Sequence, residues 1–212
     1  MSGFTDRQHE QYFEDFLGLN EKGEVFVDVG GFDGFTTLEF IKRCPGYRRV
    51  YFFEPELKNM DIAKSRLSEY ENIDFLQKGL SNKADTVRFS IGGSSSVISE
   101  DGEVEIKVDA LDNMIDDTIS FIKMDIEGAE ADAICTSKKL NNIEKLFIEY
   151  HSFDGAEQLL GKILETLTAN GFRYYIRTQF CSPRPLTEKK LYLGMDLQLN
   201  IFAKKENEGM FL

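Results

Sequence analysis

Short β-rich apolar runs alternate with segments of helical period from residue 24 to about residue 176, and this order constrains the fold more than any other feature of the chain. The runs are Glu24–Val29, Val50–Glu54, Ile73–Leu76, Phe121–Asp125 and Ile143–Tyr150. Between and after them, Phe35, Leu38 and Ile41, then Met60, Ala63 and Leu67, then Leu159, Leu160, Ile163, Leu164 and Leu167 recur along one helix face. Parallel strands need crossover helices, so the alternation predicts an α/β fold: a mostly parallel twisted sheet with helices on both faces. Phe172–Ile176 and Leu197–Ala203 read as an antiparallel C-terminal strand pair. Thr86–Ile91 and Val104–Val108 read as half-exposed strands around a Gly-Ser loop. Ahead of the sheet, Thr5-Asp6-Arg7-Gln8 has the pattern of a capping box, opening a helix whose apolar face carries Tyr12, Phe13, Phe16 and Leu17.

A chain of 212 residues suits one domain. The expected division is a helical extension over 1–20, a core over 24–177, and a C-terminal loop and last strand over 178–212. The formal net charge is −12 and Lys/Arg occur only in isolated pairs, so no nucleic-acid partner is expected, because duplex binding rests on neutralising phosphates. Cys44, Cys135 and Cys181 are odd in number and contain no CxxC, which suggests neither a disulfide framework nor a zinc site. No secretory leader or membrane span is evident, and with the cysteine usage this points to a cytoplasmic location.

Ligands of such sheets bind outside the carboxyl ends of the strands, at the switch point. Four segments end there. The first is Asp28-Val29-Gly30-Gly31-Phe32-Asp33-Gly34, with spacing D-x-G-x-x-x-G rather than the G-x-G-x-x-G of a dinucleotide fingerprint. Its glycines allow a tight turn and close ligand approach. A buried carboxylate at Asp28 would repel a pyrophosphate and pair with an ammonium, which favours a ligand with a cationic amino-acid end; an ordinary βα turn with spare glycines is the plainer alternative. Glu54 closes the second strand, where a carboxylate can accept both hydroxyls of a ribose.

The third segment carries Asp125, Glu127 and Glu130, with Glu149 and His151 as neighbours. Several carboxylates at one strand end are costly unless a cation or hydrogen bonds relieve them. Acids in the first turn of a helix are the simpler account of Glu127 and Glu130. His151 is expected after the fifth strand, and its ordinary pKa suits a general base; a satisfied core histidine is the competing reading. His9 reads as surface. No metal is expected, since no repeated oxygen-ligand spacing occurs; a metal-assisted variant through Asp125 and Glu127 ranks lower.

Taken in order, VFVDVGGFDGF, YFFEP, SSS, KVDALD, IKMDIEGAE and IEYH resemble the FkbM family of S-adenosylmethionine-dependent methyltransferases over residues 25 to 151. The resemblance implies a Rossmann-like methyltransferase fold, S-adenosyl-L-methionine as cofactor, and O-methylation of a sugar, polysaccharide or natural-product acceptor. It assigns Asp28, Gly30 and Gly34 to the methionine end of the cofactor, Glu54 to the ribose and Gln77 to the neighbourhood of adenine, with Gly31, Asp33 and Asp125 also cofactor-binding. It sets Asp125, Glu127 and Glu130 at the reaction centre; a protonated hydroxyl is a poor nucleophile, and His151 or Asp125 is the candidate base. Phe32 departs from the family, which commonly has a small polar residue or Asn there. An NAD-dependent oxidoreductase and a non-catalytic nucleoside-binding module remain as alternatives. Loops 92–103 and 178–195 are where acceptor choice would lie.

Overall fold

The computed structural model describes residues 11–90, 97–98, 104–188 and 190–206. Its strands are β1 (Val25–Val29), β2 (Arg49–Phe53), β3 (Ile73–Leu76), β4 (Gly79–Ser81), β5 (Asp85–Ser90), β6 (Val97–Ile98), β7 (Val104–Ala110), β8 (Ile119–Met124), β9 (Ile143–Phe153), β10 (Phe172–Cys181) and β11 (Met195–Lys205). The helices are α1 (Phe35–Arg43), α2 (Leu57–Arg66), α3 (Leu111–Met114), α4 (Glu130–Cys135) and α5 (Leu160–Ala169).

Seven strands make the central sheet in the order β10-β11-β9-β8-β1-β2-β3. β3, β2, β1, β8 and β9 run parallel, while β11 is antiparallel to both β9 and β10. The chain leaves β1 toward β2 and returns on its other side as β8, so the order of connection reverses between β1 and β8. The fold is therefore the mostly parallel sheet with a C-terminal antiparallel pair that the sequence pattern predicts, in the Rossmann-like form that the resemblance implies. A second sheet of four strands, β4-β7-β5-β6, was not anticipated as a unit. β4 is three residues long and carries too little pattern to read.

Side chains alternate across β1: Val25, Val27 and Val29 join one core cluster, Phe26 the other. The valine side is completed by Ile122, Ile148, Ile201 and the helix residues Ile134, Ile163 and Leu167. The opposite side is built from aromatic rings: Phe13, Phe26, Phe40, Phe52, Phe121, Phe147 and Phe202. Phe26 stacks on Phe40 and Phe121, with centroids 4.2 and 5.4 Å apart. This is where the many phenylalanines go.

Two expectations need correction. Among the described residues, Tyr12–Leu17 is not one helix; Asp15–Leu17 is a 3-10 turn closed by Gly18 at φ 60. Its aromatics are drawn to separate places: Phe13 against Phe26 and Phe121, Phe16 against Phe202, Tyr12 toward Asp125. Tertiary contacts thus override the helical spacing. The capping box, His9 and most of loop 92–103 lie outside the described residues. Second, β9 does not stop at Tyr150. β11 extends its ladder, pairing Gln198 with His151 and Leu197 with Ser152, so His151 sits inside the strand rather than after it. Among the described residues no helix is long and apolar enough to cross a membrane.

Candidate active site

A crevice of about 380 Å³ opens at the carboxyl ends of β1, β2 and β8. Its walls include Gly30, Gly31, Phe32, Asp33, Glu54, Asp125 and Glu127, with an apolar slot of Pro55, Leu80, Ile106 and Val108 at one end. Leu80, Ile106 and Val108 come from the second sheet, which therefore builds part of the site.

The glycine turn is required first by the protein's own packing. Gly30 lies at φ +71, and a Cβ there would fall 2.0 Å from the carbonyl oxygen of Asp125 at the neighbouring strand end. A Cβ on Gly31 would meet the Phe52 ring at 2.2 Å. Only a bare backbone lets β1, β2 and β8 converge here. Gly34 faces Ala63 and Leu67 and is not on the crevice wall. Asp33, two residues before the start of α1, accepts from the Phe35 N–H at 3.1 Å and pairs with Arg66. Phe32, at φ 50 and 58% exposed, takes a left-handed conformation that bulky residues avoid. An Asn at that position would adopt it readily, a signal present in the sequence once the turn is known.

Asp28 does not face the crevice. It is fully buried, accepting from Thr37 Oγ1 at 2.7 Å, with the Lys123 ammonium 3.4 Å from its other oxygen. An ammonium does meet this carboxylate, but it belongs to the chain. Lys123 also donates to the carbonyls of Val29 and Gly30 at 3.2 and 2.7 Å, bracing the glycine turn from beneath. Burial opposes the lysine's charge; Asp28, Asp125 and Glu149 overcome it and hold its pKa above the ordinary value. Lys123 was missed from the sequence because a lysine in an apolar strand is normally a solvated one.

Glu54 lies on the crevice and is 6% exposed. One oxygen accepts from the Phe32 N–H at 3.0 Å and the other from the Glu56 N–H at 2.8 Å. Burial outweighs these bonds and raises its pKa to about 7. Gln77 is exposed beyond β3 and does not line the crevice.

At the opposite end, Asp125 presents Oδ2 to Tyr12 (3.3 Å) and Lys123 (3.8 Å), and Oδ1 to His151 Nε2 (3.9 Å). Glu127 precedes α4 rather than lying within it, at φ 52, with Oε2 also 3.9 Å from His151 Nε2. Burial raises Glu127 to about 7. Glu130 accepts from His151 Nδ1 at 3.0 Å and from the N–H groups of Gly128 and Ile126. Burial would lower the pKa of His151, but the hydrogen bond and charge of Glu130, then Asp125 and Glu127, raise it to about 10. In the ligand-free chain these acids favour the charged imidazole, which makes His151 a poor general base there. Glu149, bonded to Gln11 and Gln198, is raised to about 8 by burial and by Asp125.

The family model of the methyltransferase FkbM domain matches residues 28–174. The chain belongs to the FkbM methyltransferase family. Among solved structures, this FkbM chain resembles the methyltransferase FkbM of Methylobacillus flagellatus KT, with a TM-score of 0.57, 22% identity, and coverage of 91% of this chain and 47% of that one. The chain thus spans about half the length of that relative. It also resembles a precorrin-6y C5,15-methyltransferase from Geobacter metallireducens GS-15 (TM-score 0.52, 14% identity, 89% and 84% covered). An rRNA methylase from Streptococcus thermophilus gives a TM-score of 0.51 at 15% identity, with 91% and 93% covered. At these identities the likeness is one of fold. No curated protein sequence matches the chain.

Proposed function

We propose that the chain, as a single methyltransferase domain, transfers a methyl group from S-adenosyl-L-methionine to a hydroxyl of a sugar, polysaccharide or natural-product acceptor. One observation carries this: a single crevice at the strand switch point holds a buried carboxylate, Glu54, at one end and a carboxylate pair, Asp125 and Glu127, at the other. The cofactor supplies a methyl group on a positively charged sulfur, a good leaving group.

The residues fit such a ligand. A carboxylate offers about four acceptor positions; the Phe32 and Glu56 N–H groups take one on each oxygen of Glu54 and Asn59 lies beside it, which leaves acceptor capacity for a ribose diol. Pro55, Leu80, Ile106 and Val108 offer apolar surface for a flat base beside it. Asp125 and Glu127, rather than Asp28, turn negative charge toward a cationic ligand end. Asp28 acts through Lys123, which fixes the carbonyls of the glycine turn.

Catalysis then rests on alignment, worth up to about 7–11 kcal/mol when nucleophile and methyl are held at near-attack distance. A hydroxyl must also lose its proton. Glu127 is the acceptor: its pKa of about 7 matches neutral pH, and it lines the crevice. His151, positioned by Glu130, faces both acids.

Calorimetric titration with S-adenosylmethionine and S-adenosylhomocysteine tests the reading. One site per chain for both is expected, and no binding of either overturns it. Release of S-adenosylhomocysteine across a panel of glycans and hydroxylated metabolites then identifies the acceptor.

A further inference from the structure

We infer that Asp125, Glu127 and His151 form a site for a divalent cation of the manganese or magnesium type. Each offers one ligand atom, and the three atoms lie within 4.8 Å of one another. Asp125 Oδ1 and Glu127 Oε2 are each 3.9 Å from His151 Nε2, beyond hydrogen-bond reach. Ligands about 2.1 Å from a common ion stand roughly 3–4 Å apart, so the observed spacing needs little adjustment to close on one.

Two further observations point a ligand into this space. The His151 side chain is only 2% exposed, yet Nε2 makes no contact closer than 3.5 Å; that contact is to the amide nitrogen of Gln198, which is engaged with Glu149. Glu127 Oε2 is buried and has no hydrogen-bond partner. Both atoms converge on Asp125 Oδ1. On its far side, the imidazole is locked by Glu130 through Nδ1 at 3.0 Å, and Glu130 is itself held by two backbone N–H groups. A buried carboxylate gripping the far nitrogen of a histidine is the arrangement that orients a metal-binding imidazole. An ion pair alone leaves Nε2 with a single 3.5 Å contact and Oε2 without a bond; a cation, displacing the proton from Nε2, satisfies all three atoms.

Two carboxylate oxygens favour magnesium or manganese, and one imidazole nitrogen moves the preference toward manganese. Lys123 approaches Asp125 from the other oxygen, Oδ2, and leaves Oδ1 free for the ion. The spacing was invisible in sequence because His151 joins from a strand apart from the other two.

The catalytic use of the ion rests on the methyl-transfer reading. An acceptor hydroxyl bound to it becomes more acidic. Its O–H bond breaks with the proton passing to Glu127 Oε1, the oxygen not bound to metal. The oxygen forms its bond to the methyl carbon as the carbon–sulfur bond breaks, leaving the electron pair on sulfur.

The test is Mn²⁺ added to chelator-stripped protein, followed by the paramagnetic resonance signal of free Mn²⁺. One ion per chain is expected. Asp125→Asn and His151→Gln should each weaken binding at least tenfold, and Glu130→Gln by about 10–100-fold. An unchanged free-ion signal at millimolar Mn²⁺, or variants that bind as the parent does, would overturn the site. Should His151→Gln not fold, the more exposed Asp125→Asn decides. S-adenosylhomocysteine titrated in parallel separates the two readings. Nucleoside binding without Mn²⁺ binding removes the metal site alone. Mn²⁺ binding without nucleoside binding supports the site and removes only its role in methyl transfer.

Discussion

Lys123 is the residue on which the first bend of the sheet depends. Its ammonium, itself buried, reaches Asp28, two carbonyls of the β1 terminus and the partly exposed Asp125. A buried pair is weak evidence for stability in itself, but removing one partner strands the other. Lys123→Met is therefore expected to destabilise the chain by about 3–5 kcal/mol in urea unfolding. Adding Asp28→Asn should restore most of this, because Thr37 can still donate to an amide oxygen there. A double variant no more stable than Lys123→Met would mean that the lysine works through its carbonyl contacts instead. Phe32 makes the converse case. A bulky residue held at φ 50 costs on the order of 1 kcal/mol, so Phe32→Asn should raise the melting temperature by roughly 2–4 °C.

At the level of strands and helices, the parallel core was legible because buried strands read as apolar runs and helices as periodic ones. Ile73–Leu76 emerges with its predicted ends, and the pairing of β10 with β11 follows from two runs near the C terminus. What stayed hidden depended on partners distant in sequence. β9 continues through His151 only because β11 lies beside it, and a histidine inside a ladder and gripped by Glu130 through Nδ1 turns only Nε2 toward Asp125 and Glu127. The turn after β1 was legible as glycine-rich, but its reason was not: Gly30 is required by the carbonyl of Asp125, more than ninety residues later. Gly30→Ala and Gly155→Ala isolate that reason. Both sit at positive φ, +71 and +84, but a Cβ on Gly155 meets nothing within 4 Å. Gly155→Ala should cost about 1 kcal/mol of strain, and Gly30→Ala on the order of 3 kcal/mol or more as β1 and β8 are forced apart. Equal losses in thermal unfolding would show that the clash is relieved by local movement.

For the molecule as a whole, the sheet gathers ionisable groups at one end of a layer otherwise filled with phenylalanine, and a ligand should settle what the fold alone leaves costly. Glu54 makes this measurable. Burial lifts its pKa to about 7, above the ordinary carboxylate value near 4.3, so the folded chain prefers it neutral. The stability it contributes is complete below about pH 4 and is lost as pH rises through 7. A ribose diol asks the opposite, since both oxygens must accept. Nucleoside affinity should therefore rise with pH through 7, and from this group alone be about tenfold weaker at pH 6 than at pH 8. Glu54→Gln should flatten both dependences, raise the stability of the ligand-free chain at pH 8, and weaken S-adenosylhomocysteine. At a ligand concentration 100 times the Kd, the parent gains about 2.7 kcal/mol, or roughly 5–10 °C for a chain of this size, and the variant should lose most of that gain at the same concentration. A variant that melts higher than the parent without ligand and lower with it would tie the acid to the ligand and not to the fold. A variant that keeps the full ligand-induced rise would place the nucleoside away from Glu54.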